Sequence, residues 1–227
     1  MKRTTLLSAL LVALFSMSAA QADVGPSTAG ITAEFGTTGF GAHLTYPLMD
    51  HLNGRVGYNG GTYSYNGSTS SVDYTTKLKL STFDLLLDYY PSATPFRMTA
   101  GLVYNNSSLD LTAKSNSTGS YVLNGNTYTA SSAGTINGTA DFRRAAPYLG
   151  IGYGNAIADS GFSFSSDLGV LFQGAPRTMM TNSGCTAPAA VCSQLGADLA
   201  TENASFSDKV SGLKTYPVVR VGVSYRF

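Results

Sequence analysis

Nine ionisable residues recur at alternate positions of short apolar runs, and their types point to ion-pair chemistry. They are Glu34, His43, Arg55, Asp84, Asp88, Arg97, Asp167, Arg220 and Arg226. In an extended strand, residues two apart share a face, so these side chains would lie opposite rows of aliphatic and aromatic residues. Four carboxylates and four guanidiniums with one imidazole nearby predict a neutralised network, because an unpaired buried charge is very costly.

Two interpretations of this predicted network remain open from the sequence. In the first, the charged side chains fill a narrow interior and fix the register of the strands around it. In the second, the network is a polar path for small solutes. Arginine–carboxylate pairs would then exchange partners with the two charges of an amino acid.

The elements that would position these charges are alternating runs of about 9 to 12 residues, which is the weak signature of a transmembrane β-barrel. In "FRMTAGLVY", one face carries Phe, Met, Ala, Leu and Tyr, and the other carries Arg97, Thr99 and Gly101. The apolar faces begin or end in Tyr or Phe, as aromatic girdles do, and the opposite faces are rich in Gly, Ser and Thr. A soluble β-sandwich would also alternate, but its solvated face would carry far more Lys and Glu.

The predicted fold class is therefore all-β: an eight-stranded antiparallel transmembrane β-barrel with short periplasmic turns and long extracellular loops. Short turns are expected at residues 49–54, 91–95 and 155–161, and longer connections at 61–75, 106–140 and 174–214. Direct counting gives seven strands unless residues 29–48 contain a reversal, whereas bacterial barrels have an even number. A tight hairpin at Gly36-Thr37-Thr38-Gly39 would supply the eighth. The alternative is one continuous strand with a glycine bulge.

The first residues, "MKRTTLLSALLVALFSMSAAQAD", predict a secretory signal peptide over residues 1–22, followed by a barrel domain over residues 23–227. Lys2 and Arg3 precede a short apolar stretch that closes on an A-x-A cleavage pattern. The stretch is too short for a comfortable membrane-spanning anchor, which is the alternative. Cleavage would leave 12 basic and 13 acidic residues. That near-neutral balance argues against a nucleic-acid partner.

The last residues, "YPVVRVGVSYRF", place Phe227, Tyr225 and Val223 on one apolar row of a predicted strand. A terminal aromatic residue with apolar residues at alternate positions behind it resembles the signal that the outer-membrane assembly machinery reads. The predicted partners are accordingly that machinery and outer-membrane lipid. The predicted location, after cleavage of the signal peptide, is the outer membrane of a Gram-negative bacterium.

The two cysteines, Cys185 and Cys192, lie in "CTAPAAVC" within the last long connection. A disulfide is favoured over a metal site, because the chain would cross an oxidising periplasm and zinc would need further His or Cys ligands nearby. A short helical pattern follows near "AVCSQLGADLATENA". The Ser-, Thr- and Asn-rich connections are suited to binding a partner, but a solvated outer loop has the same composition.

An enzyme is the less favoured class. Acyl transfer or hydrolysis would need a Ser, a His and a carboxylate within hydrogen-bond reach at the outer leaflet. His51 falls in a predicted periplasmic turn, and the alternation points His43 into the lumen, where a hydrogen-bonding role is the better interpretation. No phosphate loop, nucleotide fingerprint or metal-ligand cluster occurs in the sequence, so we expect no catalytic residue, cofactor or metal.

Four segments, "AEFGTTGFGAHL", "VGYNGG", "APYLGIGYG" and "YPVVRVGVSYRF", occur in an order that resembles the CarO-type small outer-membrane porins and related proteobacterial barrels. The resemblance runs from about residue 30 to residue 227 and implies an eight-stranded barrel with uptake of small amino acids such as ornithine. We therefore expect a narrow porin-like channel for small polar or zwitterionic solutes. The alternative is a structural, adhesive or signalling barrel with a plugged lumen and loop-mediated binding.

Overall fold

The computed structural model describes residues 29–68, 73–92, 94–114, 119–158 and 160–227 of the chain. The predicted signal peptide lies outside these residues. Within the described ranges, no helix is long and apolar enough to cross a membrane.

The described chain forms thirteen β-strands and two helices. Eight strands make the barrel: β1 (Gly30–Gly36), β2 (Gly39–Met49), β3 (Leu52–Ser68), β4 (Asp73–Tyr89), β5 (Phe96–Asn105), β10 (Ala145–Tyr153), β11 (Gly161–Leu171) and β13 (Tyr216–Arg226). The others lie outside the barrel: β6 (Ser108–Lys114), β7 (Ser120–Leu123), β8 (Asn126–Thr129), α1 (Ala130–Ala133), β9 (Thr135–Asp141), β12 (Arg177–Ser183) and α2 (Ala189–Val210).

The eight barrel strands close into a ring, which confirms the predicted fold class. Their order is β1-β2-β3-β4-β5-β10-β11-β13, and β13 pairs with β1 along the whole of β1. Closure leaves the ring without a free edge, as a membrane-spanning sheet requires and a sandwich does not provide. Exposure alternates along each strand, so that on β5 Arg97 and Thr99 are buried while Met98 is 52% exposed.

The tight hairpin predicted at Gly36-Thr37-Thr38-Gly39 is confirmed, and the continuous-strand alternative is wrong. β1 ends at Gly36, β2 begins at Gly39, and these two residues are register partners. Gly39 has a φ of 96°, which a residue with a side chain rarely adopts. The Thr37 hydroxyl donates to the carbonyl of Pro217, 3.0 Å away, and so ties the hairpin to β13. The predicted short turns at 49–54, 91–95 and 155–161 connect β2–β3, β4–β5 and β10–β11.

The long outer connections hold regular structure that the sequence analysis left as loops. β3 and β4 stay paired well beyond the barrel, as far as Ser68 and Asp73. β6, β9 and β12 then add to the outer part of β4, in that order. Half of the barrel wall thus continues outward as a five-stranded sheet. The alternation in these strands was not recognised because polar residues such as Lys77 and Thr76 occupy them, with no long apolar face.

Helix α2 and the β7–β8 hairpin pack on this sheet and complete what we call the outer domain, comprising β6–β9, β12, α1, α2 and the outer parts of β3 and β4. Their buried cluster contains Tyr121, Leu123, Tyr128, Ala133, Ile136, Leu195 and Leu199. The helical pattern predicted near residue 191 is confirmed as part of α2. The predicted disulfide, Cys185–Cys192, is also confirmed and links the segment after β12 to the first turn of α2.

Asp198 of α2 connects the helix to the β7–β8 hairpin. Its carboxylate accepts hydrogen bonds from Tyr128 Oη at 2.5 Å, Asn126 Nδ2 at 2.7 Å, Asn124 Nδ2 at 3.1 Å and Gln194 Nε2 at 3.2 Å. These bonds, that from Tyr128 first, lower the pKa of the Asp198 carboxyl to about 2. Burial, together with the bond to Asp198, raises the pKa of the Tyr128 hydroxyl to about 12.

We predict that the outer domain loses stability in acid through Asp198. Its folded-state pKa of about 2 lies below the unfolded value of about 3.9. Its contribution is therefore complete above about pH 4 and is lost as the pH falls toward about 2. The near-ultraviolet circular dichroism of the tyrosines should diminish across this range. An Asp198→Asn variant should be less stable at neutral pH and change less between these pH values; an identical acid profile in the variant would contradict the assignment.

Candidate functional site

Eight of the nine predicted ionisable residues meet inside the barrel. They are Glu34, His43, Arg55, Asp84, Asp88, Arg97, Asp167 and Arg220, and none of them is more than 6% exposed. Strand alternation brings them inward from β1, β2, β3, β4, β5, β11 and β13, so almost the whole ring contributes. The side chains separate into a periplasmic cluster and an outer cluster along the barrel axis.

The periplasmic cluster consists of Arg55, Arg97, Asp88 and Asp167. Arg55 contacts both carboxylates: its Nε lies 3.0 Å from Asp88 Oδ2, and its Nη1 lies 2.9 Å from Asp167 Oδ2. Arg97 contacts the same two residues, with Nη2 2.9 Å from Asp167 Oδ1 and Nε 3.6 Å from Asp88 Oδ1. Each carboxylate is therefore shared by two guanidiniums, and the cluster is neutral as a whole.

The outer cluster consists of Glu34, His43, Asp84 and Arg220. Arg220 Nη2 lies 2.7 Å from Asp84 Oδ2, and its Nε lies 3.3 Å from Glu34 Oε1. The His43 ring stands between the same two carboxylates, with Nδ1 3.1 Å from Glu34 Oε2 and Nε2 3.2 Å from Asp84 Oδ2. Because carboxylates only accept hydrogen bonds, this placement favours an imidazolium with a hydrogen on each nitrogen. With that charge, the outer cluster is also neutral.

Arg226, the ninth predicted residue, lies at the periplasmic end of β13. Its side chain is half-buried, and Nη1 donates a hydrogen bond to the carbonyl of Ala158, 2.9 Å away in the β10–β11 turn. It marks the periplasmic mouth of the lumen, apart from the two clusters. The cation that balances the four lumen carboxylates, beside the three arginines, is therefore His43.

Several neutral residues complete the network, and the sequence analysis did not single them out. Thr99 donates to Asp88 Oδ1 at 2.6 Å, Asn59 Nδ2 donates to Asp84 Oδ2 at 3.1 Å, and Arg220 Nε donates to Thr38 Oγ1 at 3.0 Å. The Tyr148 ring lies 5.9 Å from the Arg220 guanidinium carbon, in position for a cation–π contact. Strand alternation already places Asn59 and Thr99 on the inward row, so their positions, though not their partners, were accessible from the sequence.

Part of the lumen is apolar, which the prediction of a polar interior missed. Leu86, Val103, Ala146, Tyr148, Leu171 and Val218 form a buried cluster there, with Tyr216 packed against it. These residues lie on the inward rows of β4, β5, β10, β11 and β13. The alternation marked them as inward-facing, but the pattern of charges does not show that these apolar side chains fill the interior.

Apart from atoms already held in ion pairs, five buried polar atoms around the outer cluster have no hydrogen-bond partner among the described residues. They are Arg220 Nη1, Asp84 Oδ1, Asn59 Oδ1, Thr82 Oγ1 and Tyr148 Oη. Thr82 also lines a small cavity of about 40 Å³ at the outer end of the lumen. At the other end, a pocket of about 440 Å³ opens between the periplasmic turns and includes His51, Asn53 and Tyr90 in its lining.

The remaining predicted residues lie away from the lumen. The disulfide belongs to the outer domain. Val223, Tyr225 and Phe227 face outward, and the Tyr225 ring lies 5.0 Å from that of Phe162 and 5.5 Å from that of Phe227. Their role as an assembly signal stays a prediction. His51 lies in the β2–β3 turn with a φ of 63°.

The closed ring, apolar outside and charged inside, defines an outer-membrane β-barrel protein. No protein-family model and no curated protein matches the chain. Among solved structures, Acinetobacter baumannii CarO is similar over 91% of this chain and 100% of its own, with a TM-score of 0.56 and 25% identity. Acinetobacter baumannii CarO2 is similar over 88% and 98%, with a TM-score of 0.54 and 23% identity. The chain thus shares the barrel fold of these CarO structures, which confirms the resemblance that the sequence predicted.

We predict that Arg55→Ala destabilises the barrel more than the double change Arg97→Ala, Asp88→Ala. The single change leaves Asp88 and Asp167 to share one guanidinium, and removing one partner of a buried ion pair typically costs about 3–5 kcal/mol. The double change removes one charge of each sign and leaves Arg55 with Asp167. Urea unfolding in lipid vesicles measures the loss of stability in each variant. The unfolding is followed by far-ultraviolet circular dichroism and gel mobility, because the chain has no Trp. Equal losses would contradict the shared-carboxylate arrangement.

Gly57 of β3 leaves the space that the His43 ring occupies. A methyl group at this position would overlap the ring and the carbonyl of Ala42. We predict that Gly57→Ala lowers the free energy of unfolding by about 1–3 kcal/mol, the usual cost of overpacking. Gly61→Ala on the same strand is the matched control, since its nearest contact would be an ordinary 3.5 Å. A comparable loss in both variants would show that strand propensity, and not the His43 contact, is responsible.

Proposed function

We propose that this barrel is a narrow porin-like channel for small zwitterionic solutes, and that the two ion-pair clusters keep it closed at rest. The observation that carries the proposal is the set of unpartnered polar atoms in the outer cluster. Arg220 Nη1 is a buried donor on a cation, and Asp84 Oδ1 is a buried acceptor on an anion. An amino acid carries the complementary pair, a carboxylate for the first and an ammonium for the second.

The periplasmic cluster also supports passage of zwitterions, because its ion pairs can exchange partners. Asp88 and Asp167 each contact both Arg55 and Arg97, so one contact can open while the other holds. A zwitterion that enters this cluster exchanges partners without changing its net charge. A solute with a net charge would leave an ion of the cluster unbalanced in a poorly solvated interior, which is costly. The channel should therefore favour small neutral zwitterions over ornithine or glutamate.

A second candidate is a barrel that does not transport, with its binding function in the outer domain. The specific observation behind it is the filled lumen: every member of both clusters is nearly inaccessible, and the apolar cluster fills further space on the inward rows. An eight-stranded interior is just wide enough for side chains to fill it. On this reading the network fixes the register of the strands and the outer domain meets the partner.

Liposome swelling separates the two candidates. We predict that the refolded protein admits glycine faster than ornithine, glutamate or a small sugar. The Arg97→Ala, Asp88→Ala variant should admit all of them faster and with less selectivity, because it removes two large side chains from the periplasmic cluster while keeping that cluster neutral.

The matched control is Lys79→Ala, Asp110→Ala, which removes an exposed ion pair from the outer domain and also preserves net charge. It should swell as the unaltered protein does. Heat-modifiable mobility in gels verifies that each preparation is folded. Folded protein that swells no faster than empty liposomes, with the double lumen variant equally inactive, would overturn the transport proposal and leave the second candidate.

A further inference from the structure

The barrel wall is interrupted at one level on three adjacent connections. β5 passes into β6 at residues 106–107, β9 passes into β10 at 142–144, and β11 passes into β12 at 172–176. Below this level the strands belong to the barrel ring, and above it they belong to the outer domain. A pocket of about 500 Å³ lies at these interruptions and is lined by residues from all three.

Three arginines line this pocket: Arg143, Arg144 and Arg177. Beyond Arg3 the chain has seven arginines, and the other four are the three in the lumen clusters and Arg226 at the periplasmic mouth. Among the described residues, the three arginines that belong neither to the lumen clusters nor to the periplasmic mouth therefore line this one pocket. Asp141 is the carboxylate in the lining, so the pocket has three positive charges to one negative.

These three side chains are exposed, and none of the ion pairs that the described residues form includes them. The Arg144 side chain donates a hydrogen bond from Nη1 to Tyr104 Oη at 3.0 Å, which fixes one guanidinium at the outer end of β5. All three residues thus line one pocket, and their exposed guanidiniums are available to an anion there. Arginine binds phosphate through two parallel hydrogen bonds, a geometry that lysine does not offer.

The position of the pocket along the barrel axis indicates which molecule would supply the phosphate. Tyr58, Phe83 and Tyr104 are register partners across β3, β4 and β5, and all three are exposed on the outside of the barrel. They form an aromatic row of the kind that marks a membrane interface. On β10, Arg144 immediately precedes Ala145, the partner of Tyr104. The pocket therefore lies one step outward of the aromatic row, at the level of the lipid headgroups.

From these observations we propose that the Arg143, Arg144 and Arg177 pocket binds a phosphate group of the outer-leaflet glycolipid. The outer leaflet of a Gram-negative outer membrane consists largely of phosphorylated glycolipid, so phosphate groups are present at the depth of the pocket. The site would anchor the outer domain to the membrane surface at the point where it leaves the barrel. This role is independent of whether the lumen conducts solutes.

The test uses the refolded full-length protein in detergent micelles and native mass spectrometry. The probes are lipid A with both phosphates, the same lipid dephosphorylated, inorganic phosphate, and glutamate. We expect the unaltered protein to prefer the phosphorylated lipid by at least about tenfold in Kd, because charge-assisted contacts to phosphate are lost with the dephosphorylated form. The variant Arg143→Gln, Arg144→Gln, Arg177→Gln should lose this preference.

The matched control is Lys77→Gln, Lys209→Gln, Lys214→Gln, which removes three exposed cations of the outer side that do not line the pocket and should retain the preference. Equal affinity of the unaltered protein for the two lipids would overturn the proposal, and this comparison needs no variant to fold. Loss of the preference in both triple variants would overturn it in favour of diffuse charge attraction. Competition by inorganic phosphate or glutamate at the concentration of the lipid itself would overturn it in favour of a small-anion site.

Discussion

A closed eight-stranded ring leaves an interior in which charges cannot be solvated individually, and this constraint governs the barrel. Each inward charge must meet an opposite one from another strand, because an unpaired ion there is far more costly than any strand propensity. Arg55 of β3 reaches Asp167 of β11 across the lumen, as well as Asp88 of neighbouring β4. The network therefore selects the register of distant strands at once: a shift of one residue would turn these side chains toward lipid.

The side chains inside such a barrel must fit the available space as well as balance their charges. Large side chains of the network lie beside glycines, as His43 lies beside Gly57 and the Asn59 amide lies beside Gly41. Beside the ion pairs, Leu86, Val103 and Tyr148 fill further volume of the interior. The high glycine content of the inward rows follows from this need for close approach, since a methyl group at either glycine would overlap its neighbour.

The fold could be predicted from the sequence because alternation and turn chemistry are local signals, and the even strand number of barrels then gave the count. The positions of Glu34, Asp84 and Arg97 on inward rows could be predicted for the same reason. Their pairing could not, because partners come from strands far apart in sequence: Asp167 and Arg220 are register neighbours, yet each binds other residues. The outer domain was missed because its strands alternate without a lipid-facing apolar row, and its core is assembled from α2, β9 and the β7–β8 hairpin.

The barrel and the outer domain meet at the level where β4 changes its neighbouring strand. That level explains why arginines form ion pairs in the lumen but line an open pocket outside it. Up to Thr82, β4 pairs with β5 of the ring; from Lys79 outward it pairs with β6. Below this change the guanidiniums are enclosed and must be matched by carboxylates of the same chain. Above it, Arg143 and Arg144 face a surface where counter-charge can be supplied from outside, so the chain need not provide it. The same residue type is thus a structural cross-link in the lumen and an available anion ligand at the rim, and the position of the interruption in the wall decides between them.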